Sequence, residues 1–372
     1  VWAVARKEFI HVLRDPRSLG MAIAIPMLLL TLYGYALTLD VDNVPLVVWD
    51  QSESRASREL ISRFEGSHYF TLQGYVRNYR EAEQAIDSAR ALVALVIARD
   101  FAGRVESGRP ASVQLIVDGS DSNTATLAVT YAEVAALTYS QGIVLRQIQR
   151  HGSRAPRAPL EFRPRVWFNA DMESRNYIIP GLIAVIMMVI AAMLTSLTVA
   201  REWERGTMEQ LISTPVKSRE LILGKLLPYF SIGLVDVLLA VLMGEFLFHV
   251  PLRGSVALLF TCAAVFLAGA MSLGIVISIV TKSQLLANQL AMVMTFVPSL
   301  LLSGFVFAIG NMPQPLQLIT YLVPARYFVA LLKGIYLKGI GLEILAGEAA
   351  LLTVFGTAMV ALANATFKKK LV

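Results

Sequence analysis

At 372 residues, 56% hydrophobic and 16% charged, with a mean hydropathy of +0.60, the chain is not composed like a soluble domain, which runs near about 45–50% apolar and about 25% charged. Its net charge of +6 would suit nucleic acid only if Lys and Arg clustered on a polar surface; the apolar excess points instead to the bias of basic residues toward cytoplasmic loops. A single cysteine, Cys262, excludes an internal disulfide and a cysteine-based zinc site, and His11, His68, His151 and His249 lack metal-ligand spacing.

The chain opens on an amphipathic pattern. At about 100° per residue, Trp2, Ala5, Phe9, Val12 and Leu13 fall on one arc, with Lys7, Glu8, His11, Arg14 and Asp15 opposite. Residues 1–16 are therefore expected to lie as a helix in the cytoplasmic interface, turning inward at Asp15-Pro16; an amphipathic helix packed on protein is the plainer alternative. A membrane span needs about 20 apolar residues to cross about 30 Å of hydrocarbon, so charge-free windows locate the spans. The first lies between Arg17 and Asp40, 22 uncharged residues, and is taken as residues 17–39. A cleaved signal peptide is disfavoured there by the length of the run and the lack of an A-x-A site after it.

Residues 40–175 have a different texture. Apolar runs at Pro45–Trp49, Tyr69–Val76, Leu92–Ile97 and Val113–Val117 have strand character. They alternate with amphipathic helical patterns at Ser54–Phe64 and Tyr79–Ala89, the second capped by Asn78. A turn at Asp118–Asp121 leads into a long helix over about Asn123–Gln149, and a Pro/Arg-rich linker follows from His151 to Arg165. The expectation is a small extracytoplasmic α/β domain inserted between the first two spans. Asp118, Asp121 and Asn123 lack the further ligands of a calcium loop and suit turn chemistry.

Five further spans are expected in residues 176–372, giving a polytopic α-helical membrane protein with six transmembrane helices. Arg175 to Arg201 encloses 25 uncharged residues, Arg253 to Lys282 encloses 28, and Glu348 to Lys368 encloses 19. Leu226–Phe248 also has the character of a span despite Asp236 and Glu245, and the uncharged run from Lys282 to Arg326 yields one more helix over about Leu285–Phe307. A carboxylate in mid-span needs a partner or a water-filled cavity, which makes Asp236 a candidate pathway residue, with a structural hydrogen bond to a neighbouring helix, or a neutralised acid, as the plainer role. With the N-terminus inside, the cytoplasmic segments hold 13 Lys/Arg against 6 acids, and the short outer loops hold Arg253, Arg326, Lys333 and Lys338. Both termini are thus expected in the cytoplasm and the large domain outside. That domain has 16 Arg against 17 acids, so the +6 is an orientation signal, and nucleic acid drops out as a partner.

No phosphate-binding G-x-x-x-x-G-K-[ST] occurs, since Gly224-Lys225 has no upstream glycine and is followed by Leu226, and no G-x-S-x-G elbow occurs. The chain is expected to be neither an enzyme nor a holder of cofactor or metal. Its most informative stretch is Arg201–Pro215, where Arg201, Glu202, Glu204, Arg205 and Glu209 crowd after a span and suit docking to a soluble partner, with a solvated loop as the plainer alternative.

Together with Gly206, Thr207 and Pro215, that stretch resembles the R-E-[WK]-E-x-G-T-[ML]-E-x-L-x-x-[ST]-P signature of the permease subunits of bacterial type-2 ABC exporters, multidrug-type branch. Arg14-Asp15-Pro16, Tyr33-Gly34-Tyr35, Asp118-Gly119-Ser120, Trp167-Phe168-Asn169, Gly224-Lys225-Leu226, Leu302-Ser303-Gly304-Phe305 and Pro324-Ala325-Arg326-Tyr327-Phe328 agree with it. Ala170, where proline is expected, departs. The resemblance implies a permease exporting drug-like or amphiphilic substrates across a bacterial inner membrane. It would pair with a second permease, identical or a sister, and be driven by separate ATPase subunits holding ATP and magnesium; a periplasmic adaptor is a further candidate partner. It implies a coupling helix at 201–215, a coupling role for the N-terminal helix with Trp2, Phe9, Arg14 and Asp15, and an outer gate. The gate would be built from half-helices at Ser303–Gly310 and Tyr321–Leu332, with Ser303, Gly304, Phe305, Pro324, Arg326 and Tyr327. A membrane-anchored ligand sensor or adaptor, and a proton-coupled transporter using Asp236, are the alternatives.

Overall fold

The computed structural model describes residues 1–37, 43–150, 173–213 and 217–367. The linker at 151–165, Trp167-Phe168-Asn169 and Pro215 lie outside them. The chain divides into two compact units, Val1–Thr38 with Arg165–Val372, and Leu39–Pro164.

The first unit begins with α1 (Trp2–Arg14), ended by Asp15, and α2 (Pro16–Ala36), which starts on a proline. Proline suits this first position because its missing N–H has no intrahelical partner there.

The second unit is a four-stranded sheet with helices on both faces. In chain order it runs β1 (Val44–Asp50), α3 (Arg55–Glu65), β2 (Phe70–Tyr75), α4 (Tyr79–Asp87), β3 (Val93–Ile97), α5 (Phe101–Glu106), β4 (Val113–Val117) and α6 (Ser122–Arg150). The strand order is β2-β1-β3-β4, parallel except for the β3–β4 pair. Alternate residues of a strand point to opposite faces, and the packing follows this rule. Val44, Leu46 and Val48 pack with Leu60, Ile61 and Phe64 of α3 and with Ala128 and Ala132 of α6. Val47 and Ala94 pack with Ala82 and Ala85 of α4 on the other side. Helix α4 is capped as expected, the Asn78 side chain accepting from the Glu81 N–H at 2.9 Å.

The first unit resumes with α7 (Ser174–Glu204), α8 (Met208–Ser213), α9 (Ser218–Phe246), α10 (Val256–Thr281), α11 (Gln284–Leu301), α12 (Gln314–Thr320), α13 (Pro324–Lys333) and α14 (Leu342–Thr366). Among the described residues, six helices are long and apolar enough to cross a membrane: α2, α7, α9, α10, α11 and α14. Helix α7 is the hub, with 83% of its most apolar window buried against 17% for α2 and for α14. Its closest neighbour is α10, and Gly274 is what allows the approach. A Cβ there would sit 2.2 Å from Thr195 Oγ1 and 2.3 Å from the Ala192 carbonyl oxygen. Such small residues let backbones meet where burial of apolar surface gives helices no mutual attraction. Pro26, Pro180, Pro228 and Pro298 lie inside helices and interrupt none of them.

Four expectations are corrected. The fifth span ends at Leu301 rather than Phe307. Ser303–Gly310 is not a half-helix; the helical turn of this segment is α12, after Pro313, preceded by a short 3-10 turn at Ile309–Asn311. Gly304 explains the difference, since its φ of +77° cannot continue a right-handed helix. Tyr321–Leu332 begins helically only at Pro324, and α12 meets the α13 segment at 84°. Finally, Glu8 does not stand on an exposed polar arc. It is 8% exposed and turned toward α9, while Trp2 and Leu13 of the apolar arc are 75% and 57% exposed.

Candidate coupling site and intramembrane polar groups

The last turn of α7 carries four side chains in three directions. Glu202 points to α9, where Lys225 Nζ lies 3.1 Å from Glu202 Oε1 and 2.9 Å from Glu8 Oε1 of α1. All three side chains are nearly enclosed, at 3% exposure for Lys225, 11% for Glu8 and 15% for Glu202. Two carboxylates thus share one ammonium, and the Thr207 hydroxyl donates to the free oxygen of Glu202. Val4 of α1 packs over Gly224, one residue before the lysine.

Glu204 points the other way. Its Oε1 accepts the Gln284 N–H at 2.7 Å, and its Oε2 accepts from the Gln284 side-chain amide. Gln284 is the first residue of α11, so the last carboxylate of one span caps the start of another. The N-terminal N–H groups of a helix have no intrahelical partner and carry partial positive charge, which an anion there offsets. Trp203 lies beneath Lys282, whose Nζ is 4.6 Å from the ring centroid. Among the described residues Arg201 makes one hydrogen bond, Nε to Gln284 Oε1 at 3.4 Å.

After Arg205 the chain turns through Gly206 at φ +69° into α8, where Met208 is buried while Arg205 and Glu209 are exposed. Arg201, Glu202, Glu204 and Thr207 therefore form one cluster, whereas Arg205 and Glu209 are exposed beside it. At the far end of α1, Arg14 is exposed, Asp15 closes the helix, and Phe9 is 43% exposed on the same side as Trp2.

The opposite end of α7 holds the loop after α11. Tyr177 OH donates to the Phe305 carbonyl at 2.6 Å, and Lys333 Nζ of α13 donates to the Gly304 carbonyl at 3.0 Å while lying 3.5 Å from the Tyr177 ring centroid. Ser303 Oγ accepts the Phe305 N–H at 3.3 Å. The Phe305 ring occupies the place of a side chain on Gly181, where a Cβ would come within 2.1 Å. Pro324 opens α13; the Arg326 guanidinium stacks 3.8 Å from the Tyr321 ring and donates to Thr320 Oγ1, and Tyr327 OH donates to the Tyr321 carbonyl at 2.7 Å. Just before α7, Arg175 forks onto Glu173 at 2.6 and 2.9 Å, and these hydrogen bonds hold that carboxyl below the usual carboxylate range.

Asp236 lies inside α9, fully buried, and neither of its oxygens has a hydrogen-bond partner among the described residues.

Glu8, Lys225, Gln284, Tyr177 and Lys333 were not singled out from sequence as site residues. The one available signal was Lys225 itself, a single cation in step with the buried Leu221 and Ile222.

A helical bundle of six apolar spans with a polar strap at each end of its central helix is the architecture of a polytopic membrane protein. The sequence pattern of the ABC-2 family transporter proteins matches residues 16–364, and the chain belongs to that family. It is 38% identical over 346 residues to the probable multidrug ABC transporter permease YbhS of Escherichia coli, covering 91% of this chain and 89% of that protein. It is 30% identical over 373 residues to the probable multidrug ABC transporter permease YbhR of the same organism, covering 100% and 98%. The inner membrane transport permease YhhJ, also of Escherichia coli, is 26% identical over 332 residues, covering 87% and 85%.

Proposed function

We propose that the chain is the permease subunit of an ATP-driven ABC exporter that moves amphiphilic or drug-like molecules out across the bacterial inner membrane. Family membership and the names of its relatives support the class. The observation that carries the mechanism is the cluster at the end of α7, where Glu202 and Glu204 tie α1, α9 and α11 to one helix end. A push on α8 through the exposed Arg205 and Glu209 would be passed to four helices together. Separate ATPase subunits, holding ATP and magnesium, would deliver that push, and this chain hydrolyses nothing.

Both termini and the α7–α9 turn lie in the cytoplasm on this reading, the α/β unit outside, and a second permease completes the pore. The amphipathic α1 rests its exposed Trp2 and Phe9 in the cytoplasmic interface. The strapped loop at Ser303–Phe305 with α13 forms the outer gate, and a periplasmic adaptor is a partner for the α/β unit. Asp236, buried with no hydrogen-bond partner among the described residues, supports a second reading in which protons are coupled to transport.

The test is transport by inside-out vesicles in which the chain is co-expressed with the ATPase. Glu204→Lys with Glu209→Lys is expected to abolish ATP-dependent uptake while the chain still inserts. Intact uptake, or purification in mild detergent without any ATPase bound, overturns the coupling. Uptake that survives ATP depletion and disappears in Asp236→Asn would select the proton-coupled reading.

A further inference from the structure

Between the α1–α2 elbow and helices α7, α9 and α11 lies a cavity of about 270 Å3. Its walls are sorted by polarity along the helix axis. Asp15, Arg201, Tyr229 and Asn288 stand at one end, and the remainder is aliphatic, reaching Ile25 on α2 and Ile190 on α7. From Arg201 to Ile190 is eleven residues of α7, or about 16 Å at about 1.5 Å per residue. Along α2, Asp15 to Ile25 spans about 15 Å by the same measure. Both lengths equal one leaflet, half of about 30 Å of hydrocarbon. The flanking spans α2 and α11 are among the least enclosed of the six, at 17% and 22% of their windows buried. The cavity is therefore walled by helices whose outer sides are open.

The polar end carries one cation, Arg201, and one carboxylate, Asp15. Arg201 is half-buried, makes its single hydrogen bond to a neutral amide, and forms no ion pair with any described carboxylate, because Glu202 and Glu204 are turned to Lys225 and Gln284. A guanidinium at the edge of an apolar slot, at the depth of lipid headgroups, fits a phosphate through charge-assisted, forked hydrogen bonds.

We infer that this cavity is a binding site for an anionic phospholipid, one acyl chain lying along α2 and α7 and the phosphate held by Arg201. The leaflet, the inner one, rests on the orientation proposed above; binding itself does not. A lipid seated there touches the α1–α2 elbow and the last turn of α7 at once, so its occupancy bears on the same cluster that couples the helices.

Leu194→Trp places a reporter on the aliphatic wall of the full chain. Reconstituted in phosphatidylcholine nanodiscs, its added emission is followed while brominated-chain phosphatidylglycerol or brominated-chain phosphatidylcholine is titrated in. Both leaflets are loaded, so an error in orientation leaves the result unchanged. Half-quenching is expected at about fivefold lower mole fraction for phosphatidylglycerol, the factor for about 1 kcal/mol from one basic residue at a lipid surface. Arg201→Gln should bring the two lipids together and Arg201→Lys should keep most of the difference. Equal quenching by the two lipids before any change at Arg201 overturns the proposal, as does a preference that survives Arg201→Gln. Stronger quenching by a brominated cationic amphiphile than by phosphatidylglycerol would show a drug pocket instead, and also overturns it.

Discussion

Lys225→Met isolates what the shared ammonium contributes. The substitution keeps the length and apolar stem of the side chain and removes the charge that Glu8 and Glu202 approach at 2.9 and 3.1 Å. Two carboxylates at 11% and 15% exposure would then face each other with no cation between them. Removing one partner from a buried ion pair costs about 3–5 kcal/mol; the residual exposure and the Thr207 hydroxyl on Glu202 place this case near the lower end, about 3 kcal/mol. Most of that is a penalty on the surviving charges, so Glu8→Gln in the Lys225→Met background should recover at least about 1.5 kcal/mol. Denaturant-induced unfolding in detergent micelles gives the energies, and hydrogen exchange gives the location. Exchange over residues 2–14 should rise because Glu8 is the polar anchor of α1, while exchange over the strands β1–β4 serves as an internal reference. An unfolding midpoint unchanged by Lys225→Met, or strictly additive single variants, would refute the reasoning.

Gly274→Ala should prevent α7 and α10 from closing, since the new methyl would sit 2.2 Å from Thr195 Oγ1; the folded, monodisperse fraction on gel filtration should fall several-fold, against no change for Gly347→Ala, which meets nothing within 4 Å. Glu204→Gln retains the shape of the α11 cap and loses its charge, so the melting temperature in detergent should fall slightly; a larger fall from Glu209→Gln, which caps no helix start among the described residues, would contradict the assignment. Asp236→Leu removes a fully buried carboxyl with no hydrogen-bond partner among the described residues and should raise stability by about 1–3 kcal/mol by thermal denaturation. A marked loss would reveal a partner in the assembled transporter.

The parts of the fold that local chemistry determines were legible in the sequence. Charge-free windows marked five of the six long apolar helices, and α9 showed despite Asp236 and Glu245, because a span depends on about 20 consecutive residues; short apolar runs marked the four strands because both β-faces meet a helix layer. The Asn78 cap was visible because its partner is three residues away. What escaped was non-local or too short. Glu8 falls on the polar arc of its own helix, and nothing nearby in sequence indicates that the arc is turned inward onto Lys225. Helix α5 covers six residues, too few for a period to show. Between Leu302 and Val323, the glycines and prolines indicate where a helix breaks; which side coils depends on carbonyls claimed by Tyr177 and Lys333 from other helices.

The Glu8–Lys225 bond spans 217 positions, and this separation orders events during synthesis. At about 5–20 residues per second, α1 leaves the ribosome roughly 10–40 s before its lysine exists. Through that interval Glu8 has no ammonium to meet and remains hydrated, so α1 waits undocked until α9 is in place. Helix α1, made well before α9, is thus fixed only after it, and its closure reports that the third span has been inserted in the right sense.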